Sequence, residues 1–180
     1  MMILIAYASV EGQTRKIADH IAQTVESAGH GVVLADLAQP GFALPARFDA
    51  AIVCGPIHMG NYPSTLIDFL RNWKSALQSM PAALVTVSLS IASENADERA
   101  EAAAYPDKLF DQTGWRAGWV HNAKGALRYL EYDFFKRWML RRIAAKEGGP
   151  VDTSQDHELT DFVALDAFVH EFLAGAAQPH

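Results

Sequence analysis

Apolar residues in this chain fall into two spacings. Some form short unbroken runs, and others form stripes with a residue every three or four positions. The runs predict β-strands at 3–8, about 32–37, 50–54, 83–89 and about 118–123. The stripes predict helices between them. From about Arg15, residues Ile17, Ile21 and Val25 stand four apart, and Gly29-His30-Gly31 ends that helix. Pro63 sits where a second helix starts, a place suited to its fixed φ and missing N–H. Leu66, Leu70, Trp73 and Leu77 supply its apolar stripe, and Met80-Pro81 stops it. A final amphipathic helix carries Phe162, Leu165, Val169 and Phe172. Pro40, Gly41 and Pro45 mark a loop before the third strand. Residues 93–113, charged, alanine-rich and interrupted by Pro106, predict a loop followed by a short helix.

Strands alternating with helices predict an α/β sandwich around a doubly wound parallel sheet. The near-continuous apolar run at 83–89 suits a central parallel strand covered on both faces. Right-handed crossovers leave few topologies, and ligands of such sheets bind beyond the carboxyl ends of the strands, where the strand order reverses. A length of 180 residues fits one domain with a sizeable core. The net charge of −6 argues against nucleic acid as a partner. No signal peptide opens the chain, and no run reaches the ~18 apolar residues of a membrane span. Cys54 is the single cysteine, so an internal disulfide is excluded and a reducing cytoplasm fits. It ends an apolar run, which marks it as a buried small hydrophobe. The seven histidines lack metal-ligand spacing, so no metal is expected. A homo-oligomer is compatible with the sequence.

Three loops follow the carboxyl ends of predicted strands near the expected reversal. The first reads Ser9-Val10-Glu11-Gly12-Gln13-Thr14 and leads straight into a helix. Free N–H groups and the positive end of the helix dipole favour an anion there. Ser9 and Thr14 add hydroxyl donors, and Gly12 permits close backbone approach. The loop lacks the ending of a P-loop and the three glycines of the dinucleotide fingerprint. It resembles the flavodoxin loop Ser/Thr-x-x-Gly-x-Thr, which holds the phosphate of FMN. The second loop contains Pro56, Ile57, His58, Met59, Gly60, Asn61 and Tyr62; the third contains Ser88, Leu89, Ser90, Ile91 and Ala92. A flavin ring needs flat apolar cover and a few backbone donors. Gly60 is placed to expose peptide groups near the ring, and Tyr62, His58 or Met59 to cover a face. One phosphate loop and no second nucleotide motif point to a mononucleotide.

Between the fifth strand and the last helix, at about 125–150, lies an insertion that the sheet does not need. Residues 128–146 carry six basic and two acidic side chains, a net of +4, which leaves −10 for the rest of a chain of net −6. Cations interleaved with Tyr129, Phe135 and Trp138 suit an amphipathic helix on an anionic membrane surface. They equally suit an extra helix packed on the body.

Gly12-Gln13-Thr14-Arg15, Gly60-Asn61-Tyr62, Met80-Pro81, Gly125-Ala126-Leu127-Arg128-Tyr129 and Gly148-Gly149 through Asp152-Thr153 together carry a wider resemblance. Over almost its whole length the chain resembles the menaquinone-dependent protoporphyrinogen IX dehydrogenases of bacteria. Those are flavodoxin-fold FMN enzymes of haem biosynthesis. The Gly-Ala-Leu-Arg-Tyr start of the insertion is the specific part of the likeness. The resemblance implies one flavodoxin-like domain, strand order 2-1-3-4-5, a helical insertion before the last helix and FMN as cofactor. It implies oxidation of protoporphyrinogen IX with menaquinone or ubiquinone as acceptor, at the inner face of the cell membrane. That conversion removes six electrons, hence three two-electron turnovers. Arg128, Lys136, Arg137, Arg141 and Arg142 are candidates for porphyrin propionates or lipid phosphates. His58 stands where the family pattern has an arginine, and Glu94, Asp97, Glu98 and Glu101 where basic residues are usual. No catalytic acid–base pair is discernible. A flavodoxin-like electron carrier and an NAD(P)H:quinone reductase are the alternative readings.

Overall fold

The structure is a computed structural model that describes residues 1–39, 47–93, 95–127 and 157–178. The chain runs β1 (Met2–Tyr7), α1 (Gln13–Ser27), β2 (Gly31–Asp36), β3 (Ala50–Pro56), α2 (Ser64–Gln78) and β4 (Ala82–Ser88). A 3-10 turn (Ser90–Ala92) follows, then α3 (Ala96–Ala103), α4 (Tyr105–Thr113), β5 (Trp119–Lys124), β6 (Ala126–Leu127), β7 (His157–Glu158) and α5 (Phe162–Ala176). Strands β1 to β5 form one parallel sheet of order β2-β1-β3-β4-β5, the order implied by the resemblance. β6 and β7 pair antiparallel as a separate two-stranded ribbon.

Each central strand serves two cores. In β1, Ile3, Ile5 and Tyr7 join a cluster with Ile17, Ile21 and Val25 of α1 and Leu165, Val169 and Phe172 of α5. Leu4 and Ala6 point the other way, into a cluster with Leu66, Leu70 and Leu77 of α2 and Leu109 and Phe110 of α4. The two-residue period of the strand divides these side chains, and each fully buried aliphatic one contributes roughly 1.5–3 kcal/mol. Within the apolar stripe of α2, Trp73 departs from expectation. It is 37 % exposed and stacks on Phe69, which is buried in its place.

Residues 93–113 hold two helices rather than one. The Asn95 side chain accepts from Asp97 N (2.9 Å) and caps α3, whose first turn carries Asp97 and Glu98. These carboxylates favour the positive end of the helix dipole, so the charged run starts a helix. Pro106 lies in the first turn of α4, where its missing N–H costs nothing, and Gly114 closes α4 at φ 69°. The insertion enters and leaves through the β6–β7 ribbon; its predicted helix, from Arg128 onward, lies outside the described residues.

A polar seam joins α1 to α5. Asp166 accepts from the Thr24 hydroxyl (2.6 Å) and meets His20 Nε2 at 2.8 Å. The Thr24 hydroxyl foremost holds the Asp166 carboxyl below its ordinary range; burial opposes it, and the bond and charge of His20 and the charge of His170 add to the lowering. A depressed folded-state value gives stabilisation that is complete above the unfolded value of ~3.9 and disappears as pH falls through the folded value. Asp166→Asn is therefore expected to lower the urea midpoint at neutral pH. With the Asp166 side chain 40 % exposed, the effect after solvent screening is a few tenths to ~1 kcal/mol. The difference from the parent should shrink steadily below about pH 4. A gap that keeps its size down to about pH 2 would assign it to packing instead.

Candidate functional site

Where β1 ends, Ala8 N still donates to Cys54 O of β3 (3.1 Å), so the first loop leaves the sheet beside the crossing point between β1 and β3. Gly12 then takes φ 83°, a left-handed conformation that glycine adopts without strain, and becomes the N-terminal flank of α1. The Ser9 hydroxyl accepts from Gly12 N (3.0 Å), and Gly12 O accepts from Lys16 N (3.0 Å). The N–H groups of Val10, Glu11 and Thr14 meet no acceptor among the described residues. Thr14 is 2 % exposed, yet its hydroxyl joins no hydrogen bond among them. Donors left without an acceptor at a helix N-terminus are suited to an anion, and we call this loop the anion cradle.

The second loop leaves β3 at Pro56. Ile57 N donates to Val87 O (2.8 Å), which extends the pairing with β4 by one residue. His58 and Asn61 then exchange two backbone bonds of 2.9 and 3.0 Å around Met59 (φ 49°) and Gly60 (φ 79°). Two left-handed residues inside such a pair make the tight turn of a β-hairpin. Glycine suits the second position; Met59 is held in the first with its side chain 74 % exposed. This turn folds Tyr62 back beneath the loop. Tyr62 is buried in the α2-side core, and its hydroxyl has no partner among the described residues. A Cβ on Gly55 would come within 3.1 Å of the Tyr62 ring and 2.4 Å of Leu66. The expectation that Tyr62 covers a ring face is therefore corrected: Tyr62 caps the core. Burial also pushes its phenol well above the ordinary range. Gly60 faces the Tyr105 hydroxyl rather than the cleft.

The third loop contributes differently from its sequence reading. The Ser88 hydroxyl accepts from Ser90 N (3.2 Å) and closes the 3-10 turn, and Leu89 is the residue of the three that reaches the cleft. A fourth wall comes from Gly125, directly after β5. Gly125 N donates to Ser88 O (3.2 Å), and a Cβ there would lie 3.5 Å from Leu89 Cδ2.

One cleft results, lined by Val10, Glu11, Gln13 and Thr14, by Pro56, Ile57 and His58, by Val87 and Leu89, and by Gly125. The structure thus brings together seven of the residues named from the sequence in the first two loops, together with Leu89. Ser9, Gly12, Gly60, Asn61, Tyr62, Ser88 and Ser90 shape the loops from outside the lining. Val87 and Gly125 escaped the sequence reading. Gly125 follows the fifth strand, so the rule that located the first three loops also points to it. Arg128, Tyr129, Phe135, Lys136, Arg137, Trp138, Arg141 and Arg142 lie outside the described residues.

The chemistry of the lining is an anion cradle at one end and apolar walls at the other. Glu11 is the discordant member, since its carboxylate would repel a phosphate. His58 Nδ1 stands 4.0 Å from Glu11 Oε1 across the cleft mouth and offsets that charge whenever the imidazole is protonated. The Cys54 thiol behind the cleft is fully buried, and desolvation pushes it up to about 12. It is a packing residue, as the apolar run around it predicts. Free donors, a buried hydroxyl and an apolar slot fit a phosphorylated planar cofactor such as FMN.

Known proteins agree with this frame. Protoporphyrinogen IX dehydrogenase (quinone) of Escherichia coli strain K12 is 28 % identical over 171 residues, covering 95 % of this chain and 94 % of the relative. The solved structure of oxidised flavodoxin 1 from Bacillus cereus superposes with a TM-score of 0.54 at 16 % identity, over 97 % of this chain and 98 % of that one. The Fusobacterium nucleatum flavodoxin, solved bound to flavin mononucleotide, gives 0.50 at 13 % identity, over 97 % and 95 %. The model of the flavodoxin domain matches residues 4–154. With that match over most of its length, and with the sheet order and loops described above, the chain belongs to the flavodoxin domain family.

Proposed function

We propose that the protein is an FMN-dependent dehydrogenase that oxidises protoporphyrinogen IX to protoporphyrin IX with a quinone as acceptor, a step of haem biosynthesis. The observation that carries the cofactor is the set of free donors at Val10, Glu11 and Thr14 opening onto an apolar slot at the reversal of strand order. The relative from Escherichia coli, matched over 95 % of this chain and 94 % of its own, supports the reaction. Bound FMN would supply the two-electron chemistry. The chain itself holds and shields. The three N–H groups and the Thr14 hydroxyl would take the phosphate, and Ile57, Val87 and Leu89 would keep water from the ring. The basic, aromatic segment 128–146 supports docking on an anionic membrane surface at the inner face of the cell membrane. Among the described residues no helix is long and apolar enough to cross a bilayer.

The reaction is tested by mixing the FMN-loaded protein anaerobically with protoporphyrinogen IX, NADPH and reduced ferredoxin in parallel. Bleaching of the flavin by protoporphyrinogen, reversed by added quinone, is the expected result. Reduction by ferredoxin alone would make the protein an electron carrier, and reduction by NADPH alone a nicotinamide-linked reductase.

The cofactor site is tested by titrating apo-protein with FMN and following flavin fluorescence. Thr14→Ala should weaken binding roughly tenfold, the cost of one hydrogen bond to a charged group. Gly12→Val should weaken it more, because a β-branched residue at φ 83° strains the cradle and blocks close approach. Unchanged affinity in both would remove the phosphate from this loop.

Glu11→Gln should act in the opposite direction. Removing a carboxylate from the cradle should tighten FMN binding a few-fold in dilute buffer, with the gain fading as added salt screens the repulsion. Weaker binding of the Gln variant would mean that Glu11 holds the cofactor rather than repelling it.

A further inference from the structure

Thr160 lies two residues beyond the β6–β7 ribbon and directly ahead of Asp161, whose side chain caps α5 by accepting from Ala164 N (3.0 Å). Its hydroxyl donates to Lys124 O at the end of β5 (2.7 Å) and accepts from Gln13 Nε2 at the start of α1 (2.9 Å). Thr160 is 9 % exposed and Gln13 8 %. One buried hydroxyl therefore uses its proton and a lone pair to join three segments: the last sheet strand, the strand returning from the ribbon, and the first residue of the helix that heads the anion cradle. Gln13 precedes Thr14 and follows Gly12. The bond to Thr160 tethers the Gln13 side chain and so restrains the backbone between Gly12 and Thr14. Gly125, the fourth wall of the cleft, sits one residue past the carbonyl that Thr160 holds.

We propose that Gln13 and Thr160 are a positioning pair that couples closure of the β6–β7 ribbon to the geometry of the phosphate cradle. Occupation of the cradle then stabilises the ribbon, and an intact ribbon strengthens phosphate binding by the same factor, as linkage requires. Thr160 lies outside the cleft lining and acts only through Gln13, which lines the cleft, and through the loop N–H groups beside it. A buried hydrogen bond of this kind is costly to break from one side. The inference rests on the FMN reading for its ligand but not for its geometry.

The test uses Thr160→Val, Thr160→Ser, Gln13→Leu and the Gln13→Leu/Thr160→Val double variant of the full chain. Two quantities are read: FMN affinity of the apo-protein, and amide hydrogen exchange at 124–127 and 157–160 with and without FMN. Thr160→Val and Gln13→Leu should each weaken FMN binding roughly tenfold, the double variant no further than the worse single one, and Thr160→Ser should restore parental affinity. In the parent, FMN should slow exchange in the ribbon; in Thr160→Val that protection should vanish while exchange in β1 and β3 stays slow. Parental affinity in both single variants overturns the proposal, as does additive loss in the double variant. If the parent itself fails to bind FMN, the cofactor reading falls. The exchange of the apo-proteins then decides the coupling alone: faster exchange at both 157–160 and the loop 9–14 in Thr160→Val sustains it, and a change confined to 157–160 overturns it.

Discussion

Burial of the parallel sheet on both faces is the constraint from which the rest of this molecule follows. Neighbouring parallel strands cannot be joined by a tight turn, so they need long crossovers; helices follow β1, β3 and β4, and right-handed crossovers send them to one face or the other. β1 sits between β2 and β3, and its side chains alternate between the α1–α5 core and the α2–α4 core. To cover both faces the chain must reverse its direction of winding beside β1. The loops after β1 and β3 consequently diverge to opposite faces and leave a crevice between them. The cleft lies there because the core requires the reversal, whatever occupies the cleft.

Within that crevice the two loops differ in how they use their backbone groups. Gly12 turns the first loop so that the N–H groups of Val10, Glu11 and Thr14 meet no acceptor among the described residues. The hairpin at Met59–Gly60 has the opposite role. It consumes the donors of His58 and Asn61 internally and returns Tyr62 to the core. One loop exposes its peptide groups and the other hides them. The buried partners of Thr160 then tie the first loop to the ribbon that begins at the end of β5.

Charge follows a similar division. The sheet and its helices carry the acidic excess, and segment 128–146 carries the basic one. The Glu11 carboxylate brings some of that acidity to the mouth of the cleft, with His58 beside it. Under the FMN proposal, a phosphate would meet a local repulsion there, answered at short range by the loop N–H groups, where screening by salt is weakest.

Much of this was legible in the sequence. The unbroken apolar runs of β1, β3 and β4 identify strands buried on both faces, because only such strands lack the polar alternate residue. Gly12 and the hydroxyls of the loop from Ser9 to Thr14 mark a strand-to-helix turn at the crevice, and Cys54 declares its burial. Local chemistry was enough wherever a residue's role depends on its immediate neighbours. Tyr62 was not readable in that way. Its direction depends on two positive φ angles at Met59 and Gly60, and on the space that Gly55 leaves above Leu66. Trp73 and Phe69 share one helix stripe, and only the packing of α2 against the sheet decided which of them is buried. Asn95 reads as part of a charged loop until its side chain is seen to cap α3. The bond between Gln13 and Thr160 spans 147 positions. Periodicity and motifs report local backbone preference. Which distant groups share one buried hydroxyl is set by how helices from both faces close over the sheet, and that is a property of the tertiary structure.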